Sequence, residues 1–419
     1  MRFLYSLAAY LLAPVFCGVL LWRGLRERGY WHDFSERFGF GESLGAPSIW
    51  VHAVSVGEVQ AAAALIRSLQ ERYSKIPLVV TTLTPSGRGR ARALFGDKVQ
   101  VRHIPLDLPG CVRRFFDRVK PRIAIIFETE LWPNLYHECG RRRVPLVLAS
   151  ARISPRSVGR YRRMAGLFRG ALSHDIVIAA QGSGDAERFR SIGANPARTH
   201  VTGNIKFDIA LSREVTVDGR ALRELHAPGR KVWIAGSTHD GEEQMVLAAH
   251  RQVRHAHPDA LLVLAPRHPN RFATVEQWLK REDVRFVKRS QGIKCNPATE
   301  VLLVDTLGEL VKFYAASDIA FVGGSLVPIG GHNLLEPASL GLAILTGPHN
   351  FNSEDVARLL AEQGASDVVR DTEELGRKVI ALFDDPQARA RMGAQARNSI
   401  EANRGALGNL LRLIAPLIA

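Results

Sequence analysis

Along most of this chain, short apolar runs alternate with stretches in which apolar positions recur every three or four residues. The first pattern reads as buried strand and the second as amphipathic helix. IWVHAV (49–54), PLVVTTL (77–83), VQVRHI (99–104), RIAIIF (122–127), PLVLAS (145–150) and DIVIAA (175–180) make a first set of strands. Helical patterns such as VQAAAALIRSLQERY and CVRRFFDRVK lie between them. A second set follows: KVWIAGS (231–237), ALLVLAP (260–266), VLLVDT (301–306), IAFVGG (319–324) and AILTG (343–347). Strands alternating with helices build parallel sheets covered on both faces. The expected fold is therefore α/β: two Rossmann-like, doubly wound domains, 23–210 and 231–419, with their strand C-termini facing across a cleft. The stretch 207–230 is polar and has no core strand, so 211–230 reads as a linker; from Thr372 onward the chain reads as mostly helical.

The N-terminus departs from this pattern. Residues 3–22 (FLYSLAAYLLAPVFCGVLLW) carry no charge, about the length a spanning helix needs. Arg23, Arg26 and Arg28 follow the segment, against Arg2 before it. The positive-inside rule then puts the rest of the chain in the cytoplasm, behind a single-pass anchor at 1–22. A cleaved signal peptide fits less well, because the run is long and its basic residues lie on the wrong side. Pro14 leaves a second reading open, a membrane-embedded helix that does not span.

Composition adds direction. With 46% hydrophobic and 23% charged residues the chain is globular rather than disordered. Its 56 Lys+Arg against 41 Asp+Glu leave +15, which favours anionic partners such as acidic lipid, phosphorylated substrates or nucleic acid. No nucleic-acid reading motif is present, so nucleic acid falls behind. Four scattered cysteines, without a C-x-x-C pair, fit neither a disulfide frame nor zinc and suggest a reducing compartment. No G-x-G-x-x-G follows the first strand of either set, and there is no P-loop, D-x-D or H-x-x-x-H. The chain therefore reads as having no metal and no cofactor.

Several acids and bases fall where doubly wound folds place their sites. Glu58 sits in the first turn of a helix leaving the first strand. It either stabilises the helix dipole or, hemmed in beside the small Ser55 and Gly57, acts as a general base. The helix end lowers its pKa and burial raises it. Glu128 and Glu130 in FETELWPNL follow the fourth strand; alternation predicts both on one face, binding acceptor hydroxyls, unless one caps the helix opened by Pro133. Between Glu138 and Asp175 there is no acid but nine arginines, including Arg160 and Arg163. Within that tract RYRRMAGLFRGAL mixes Arg with Leu, Phe and Met, as an interfacial helix does, and points to an anionic membrane or phosphorylated lipid. In the second half, the turn GSTHDGEE with Ser237 offers N–H groups to an anion, and Arg267 of APRHPNR can neutralise a phosphate. FVGGSLVPIGGHNLLEPASLG has glycine pairs 323–324 and 330–331 for close backbone approach. Its His332 and Asn333 open a helix, and Glu336 is placed to take ribose hydroxyls. His332 alternatively only caps that helix.

HAVSVGE, FETELWPN, GNIKFD, AGSTHDGEE, APRHPNR and GGSLVPIGGHNLLEPASLG, in this order, resemble the 3-deoxy-D-manno-oct-2-ulosonic acid (Kdo) transferases, from the anchor to at least Pro348. The resemblance implies an inner-membrane, GT-B-fold, inverting and metal-independent glycosyltransferase of lipopolysaccharide synthesis. Such an enzyme moves Kdo from CMP-Kdo to a lipid A precursor (lipid IVA). It implies Glu58 as catalytic base; Ser237, Arg267, Gly324, Ser325, Gly330, Gly331, Asn333 and Glu336 at the CMP donor; and Glu128, Glu130, Lys206, Arg160 and Arg163 toward the acceptor. A GT-B enzyme using another nucleotide sugar, and a non-catalytic anionic-lipid scaffold, are the competing readings.

Overall fold

The computed structural model describes residues 2–172, 176–209 and 211–418, without the side chains of Arg156 and Ala171. Met1, Asp175, Ala210, Ala419 and the Arg156 side chain, all touched by the readings above, lie outside the described residues. The chain forms two compact units, one of residues 1–208 with the segment from Arg404 onward, the other of residues 209–403.

The first unit is built on seven parallel strands: β1 (Ser48–His52), β2 (Leu78–Thr82), β3 (Gln100–His103), β4 (Pro121–Phe127), β5 (Leu146–Ala151), β6 (Val177–Ala180) and β7 (Thr199–Val201). Their order is β3-β2-β1-β4-β5-β6-β7, so the strand order reverses between β1 and β4. Period-two alternation divides the core. Ile49 and Val51 face the helix Val56–Arg72 through Leu65, Ile66 and Leu69. Trp50 and Ile126 face the helix Pro109–Val119, where Trp50 meets Phe115 edge-on at 4.9 Å. Helices at Pro85, Pro109, Pro133 and Pro155 all start on a proline, whose missing N–H has no helical partner to lose there.

The N-terminal segment is one helix, Arg2–Arg26, about 37 Å long at 1.5 Å per residue. One stripe of it is docked on the first unit. The Tyr5 hydroxyl donates to Asp107 (2.9 Å) and the Ser6 hydroxyl to Asn134 (2.8 Å). Ala9, Ala13 and Cys17 pack on Leu106, Leu108 and Cys111, Leu20 is buried, and Gly24 lies so close to the Trp31 ring that a Cβ would collide. Phe3, Leu4, Leu7, Leu11, Leu12, Val15 and Leu25 are exposed on the rest of its circumference.

The second unit repeats the architecture with β8 (Val232–Thr238), β9 (Leu261–Pro266), β10 (Phe286–Lys288), β11 (Val301–Leu303), β12 (Ile319–Val322), β13 (Ala343–Thr346) and β14 (Ser366–Val368). All are parallel, in the order β10-β11-β9-β8-β12-β13-β14, with the reversal between β8 and β12. Its two faces are covered by separate apolar clusters around Trp233 and Phe321 on one side and Ile234 and Phe313 on the other.

Two expectations about organisation change. The stretch 211–230 is not an open linker: it holds the helix Arg213–His226, which packs in the second unit. Its inward stripe is Val215, Gly219, Leu222 and His226, and two of those four are not apolar, so the pattern does not announce a core helix. Gly219 is there because a Cβ would strike Ala315. The end of 231–419 also moves. The helix Ala406–Ile418 buries Leu410, Leu411, Ile414 and Ile418 in the first unit's core, and Asp208 accepts the Gly405 N–H (2.6 Å) and the Leu407 N–H (2.5 Å) at its start.

Candidate functional site

Both reversal points sit where a doubly wound sheet opens a crevice beyond its strand ends, and the chemistry collects there. In the first unit, β1 ends at His52 and the chain turns at Ser55, extended at φ −126°, into the helix Val56–Arg72. Glu58 in its first turn folds back so that Oε2 accepts the Val54 N–H at 2.7 Å. Burial pushes its carboxyl up to about 8, against the lowering pull of that N–H bond. The nearby charges of Glu128 and Glu130 push it further up and Lys206 draws it down. For Glu58, burial outweighs the hydrogen bond from Val54.

Glu128 and Glu130 stand beside it, but not by strand alternation. β4 ends at Phe127, and Glu128 takes a left-handed turn at φ 55°. That turn points its carboxylate at Lys206, at 3.0 Å. Glu130 accepts the Trp132 indole N–H (2.6 Å) and is raised by burial first. Neither acid caps the helix Pro133–Arg142, whose N-cap is Trp132 without a side-chain bond. Lys206 is held by a short turn in which Asn204 accepts its backbone N–H (3.0 Å) and donates to Gln181 (3.1 Å). Three carboxyls and one ammonium thus share one crevice, an arrangement suited to holding hydroxyls and moving a proton.

The basic tract is partly structural. Arg141 and Arg142 pair with Glu138, and Arg142 also with Asp117. The expected interfacial helix breaks at Met164 into Pro155–Arg163 and Ala165–Leu172. Leu167, Phe168 and Leu172 turn into the core, so of the Leu, Phe and Met side chains that suggested an interface only Met164 stays exposed. Arg160 and Arg163 remain exposed on the first of these helices, and Tyr161 between them feels the charge of Glu130.

In the second unit, β8 bulges between Gly236 and Thr238, and Ser237 occupies the bulge at φ 59°, buried. A Cβ at Gly236 would meet the Tyr314 hydroxyl, which fixes glycine there. The residue that organises this end is Glu242. Fully buried in the first turn of the helix Glu242–Ala256, its carboxylate accepts the N–H groups of Gly324 (2.7 Å), Ser325 (3.1 Å) and Leu326 (3.0 Å), and of His239 (3.2 Å). The turn at Ser237 was expected to offer its N–H groups to an anion; one of them, that of His239, is already held by Glu242, together with those of Gly324, Ser325 and Leu326. The Ser325 hydroxyl is likewise engaged, donating to Val322 O (2.6 Å) and accepting from Gly347 N (2.8 Å).

The glycine pairs also have local reasons. Gly324, Gly330 and Gly331 have φ of 68°, 110° and 72°, and side chains at the last two would collide with Asn352 and Asn350. The helix beyond, Leu335–Leu340, is only six residues long, and Asn333 Oδ1 fills its first turn by accepting Leu335 N at 3.1 Å. Its dipole is therefore a weak phosphate cradle. What stays available is Arg267, exposed just past β9 with no side-chain hydrogen bond or ion pair among the described residues, and Glu336. Burial raises the Glu336 carboxyl; Asn333 (3.1 Å) and then Arg267 hold it down.

The sequence reading passed over a histidine cluster. His239 and His332 meet Nε2 to Nε2 at 2.7 Å, one donating and one accepting, and His268 stands edge-on to His239 with ring centroids 5.2 Å apart. That contact leaves no space for a metal between the two nitrogens. Burial first, then neighbouring His and Arg charge, keeps both rings neutral, with His332 down at about 4. The signal was present, one histidine in each of three quoted motifs, but only the fold brings them together.

Two doubly wound parallel sheets, with acids at one reversal point and a glycine-rich turn, arginine and histidines at the other, define a protein of GT-B architecture. The backbone superposes with a TM-score of 0.57 on a putative UDP-N-acetylglucosamine 2-epimerase from Listeria monocytogenes, 14% identical over 89% of this chain and 96% of that one, a likeness of fold alone. The family model for 3-deoxy-D-manno-octulosonic-acid transferase (kdotransferase) matches residues 32–209. The chain is 40% identical to the 3-deoxy-D-manno-octulosonic acid transferase of Haemophilus influenzae, over 100% of this chain and 99% of that protein. It is 38% identical to that of Bordetella pertussis, over 97% and 96%. The chain belongs to the Kdo transferase family: it is a glycosyltransferase of lipopolysaccharide synthesis.

Proposed function

We propose that this chain is an inverting, metal-independent transferase that moves Kdo from CMP-Kdo to a phosphorylated lipid A precursor, with Glu58 as general base. The observation that carries the reading is the Glu58 carboxyl, raised to about 8 beside Glu128, Glu130 and Lys206. A base works best with a pKa near the working pH, and burial supplies that here. As Glu58 takes the acceptor hydroxyl's proton, the oxygen attacks the anomeric carbon from the face opposite CMP, and the C–O bond to the phosphate breaks. The Lys206–Glu128 pair and Glu130 orient the acceptor. CMP leaves with one phosphate, whose charge Arg267 can meet without a cation; the neutral His239–His332 pair can donate to it, and Glu336 and Asn333 suit the ribose. Ser237, Gly324, Ser325, Gly330 and Gly331 shape the wall behind the nucleotide.

The membrane reading rests on the N-terminal helix. Its docked stripe holds it to the first unit from Tyr5 to Gly24, so only its other face is free for lipid. We read it as lying in the cytoplasmic leaflet of the inner membrane rather than crossing it.

The test is CMP release and Kdo-lipid formation from CMP-Kdo and a lipid A precursor, in excess chelator, for the parent and Glu58→Gln. Turnover unaffected by chelator and lowered about 10²–10⁴-fold by Glu58→Gln, with CMP-induced thermal protection kept, is the expected result. A parent that stalls in chelator, or a variant as fast as the parent, overturns it.

A further inference from the structure

A cavity of about 570 Å³ lies within the first unit, between the first half of the N-terminal helix and the helices Pro109–Val119 and Pro133–Arg142. That is the size of a small-ligand site. Its walls are of two kinds. Phe3 and Leu7 line it from the N-terminal helix and Val112 from the opposite side. Arg2, Arg113 and Arg141 give it a cationic lip. Arg141 is matched by Glu138, through bonds of 2.6 and 2.9 Å, but Arg2 and Arg113 have no side-chain partner among the described residues.

Two of the other polar side chains around the cavity are already engaged. Asn134 donates to Asp107 O (2.7 Å) and accepts from Ser6 (2.8 Å), and Glu138 is held by Arg141 and Arg142. Two unmatched guanidiniums above an apolar wall fit a phosphate joined to an acyl chain. The exposed face of the N-terminal helix, with Leu4 and Leu11, continues the apolar wall outward.

We propose that this cavity seats one anionic glycerophospholipid of the surrounding bilayer, its phosphodiester between Arg2 and Arg113 and one acyl chain along Phe3, Leu7 and Val112. The lipid would lock the docked helix to the first unit. Its lining includes none of Glu58, Glu128, Glu130 and Lys206, and the proposal does not depend on the transfer reaction.

Native mass spectrometry of the full-length chain in neutral detergent, titrated with phosphatidylglycerol or with phosphatidylcholine, tests it without either reaction substrate. Expected is one phosphatidylglycerol retained per chain, at least ten-fold more tightly than phosphatidylcholine. Arg113→Glu should weaken it at least ten-fold. Arg122→Glu, a control that makes the same charge change at an exposed position on β4, should leave it intact. Millimolar glycerol phosphate should not displace it. Folding of each variant is read from CMP-induced thermal protection. Equal binding of the two phospholipids, equal effects of the two charge reversals, or displacement by glycerol phosphate would each overturn the proposal.

Discussion

Glu58 owes its chemistry to groups that are far from it in the chain. A carboxyl at a helix start is normally held low by the dipole, yet here it rises to about 8 because burial and two further acids outweigh one N–H bond and one ammonium. After the Val54 N–H, Lys206 is the charge that draws it down, so Lys206→Met should move the midpoint of the pH–rate profile upward by about half to one unit. The rate at pH 7 then falls while the alkaline plateau stays within a few fold. A midpoint that stays put would remove Lys206 from the proton inventory of the site. Glu58 was legible in the sequence, because a strand running straight into a helix locates the turn between them. Its pKa was not, since Glu128, Glu130 and Lys206 arrive from β4 and from beyond β7.

At the scale of elements, the long apolar runs β1, β2, β8 and β9 were readable, being buried on both faces throughout, and so was β4, buried at every position but Arg122. β7, β10 and β14 escaped because each is a three-residue edge strand with partly exposed side chains, too short to show a pattern. The glycine-rich turn was found for a reason that the structure revises: its glycines answer to backbone angles and close neighbours, and its N–H groups to Glu242. Replacing one carboxylate oxygen by an amide NH₂ would set a donor against those N–H groups. Glu242→Gln should therefore destabilise the second unit by about 2–4 kcal/mol and weaken CMP binding. Urea unfolding and calorimetric CMP titration read both, and a variant with parental stability would contradict the organising role of Glu242.

For the molecule as a whole, the apolar N-terminus was legible as one long helix, but its docking was not. The stripe through Tyr5, Ser6, Ala9, Ala13, Cys17 and Gly24 mixes polar and small residues, and nothing in their spacing names Asp107 or Asn134 as partners. The account expects the whole exposed face to lie at one shallow depth. Spin labels at Leu4, Leu11 and Leu25, a helical face exposed at 66%, 71% and 71%, should show nearly equal quenching by a lipid-soluble relaxant in vesicles. A label at Leu11 near the bilayer centre, with Leu4 and Leu25 at opposite surfaces, would instead mean that the helix spans. The central claim remains that a buried carboxylate at the end of β1 drives Kdo transfer. The measurement that reaches it most directly is the pH dependence of single-turnover Kdo transfer by the parent and by Glu58→Gln. The account predicts a parental rate that climbs about ten-fold per pH unit and levels off above about pH 8, and a variant whose small residual rate lacks that inflection. An inflection that survives in Glu58→Gln would place the base elsewhere.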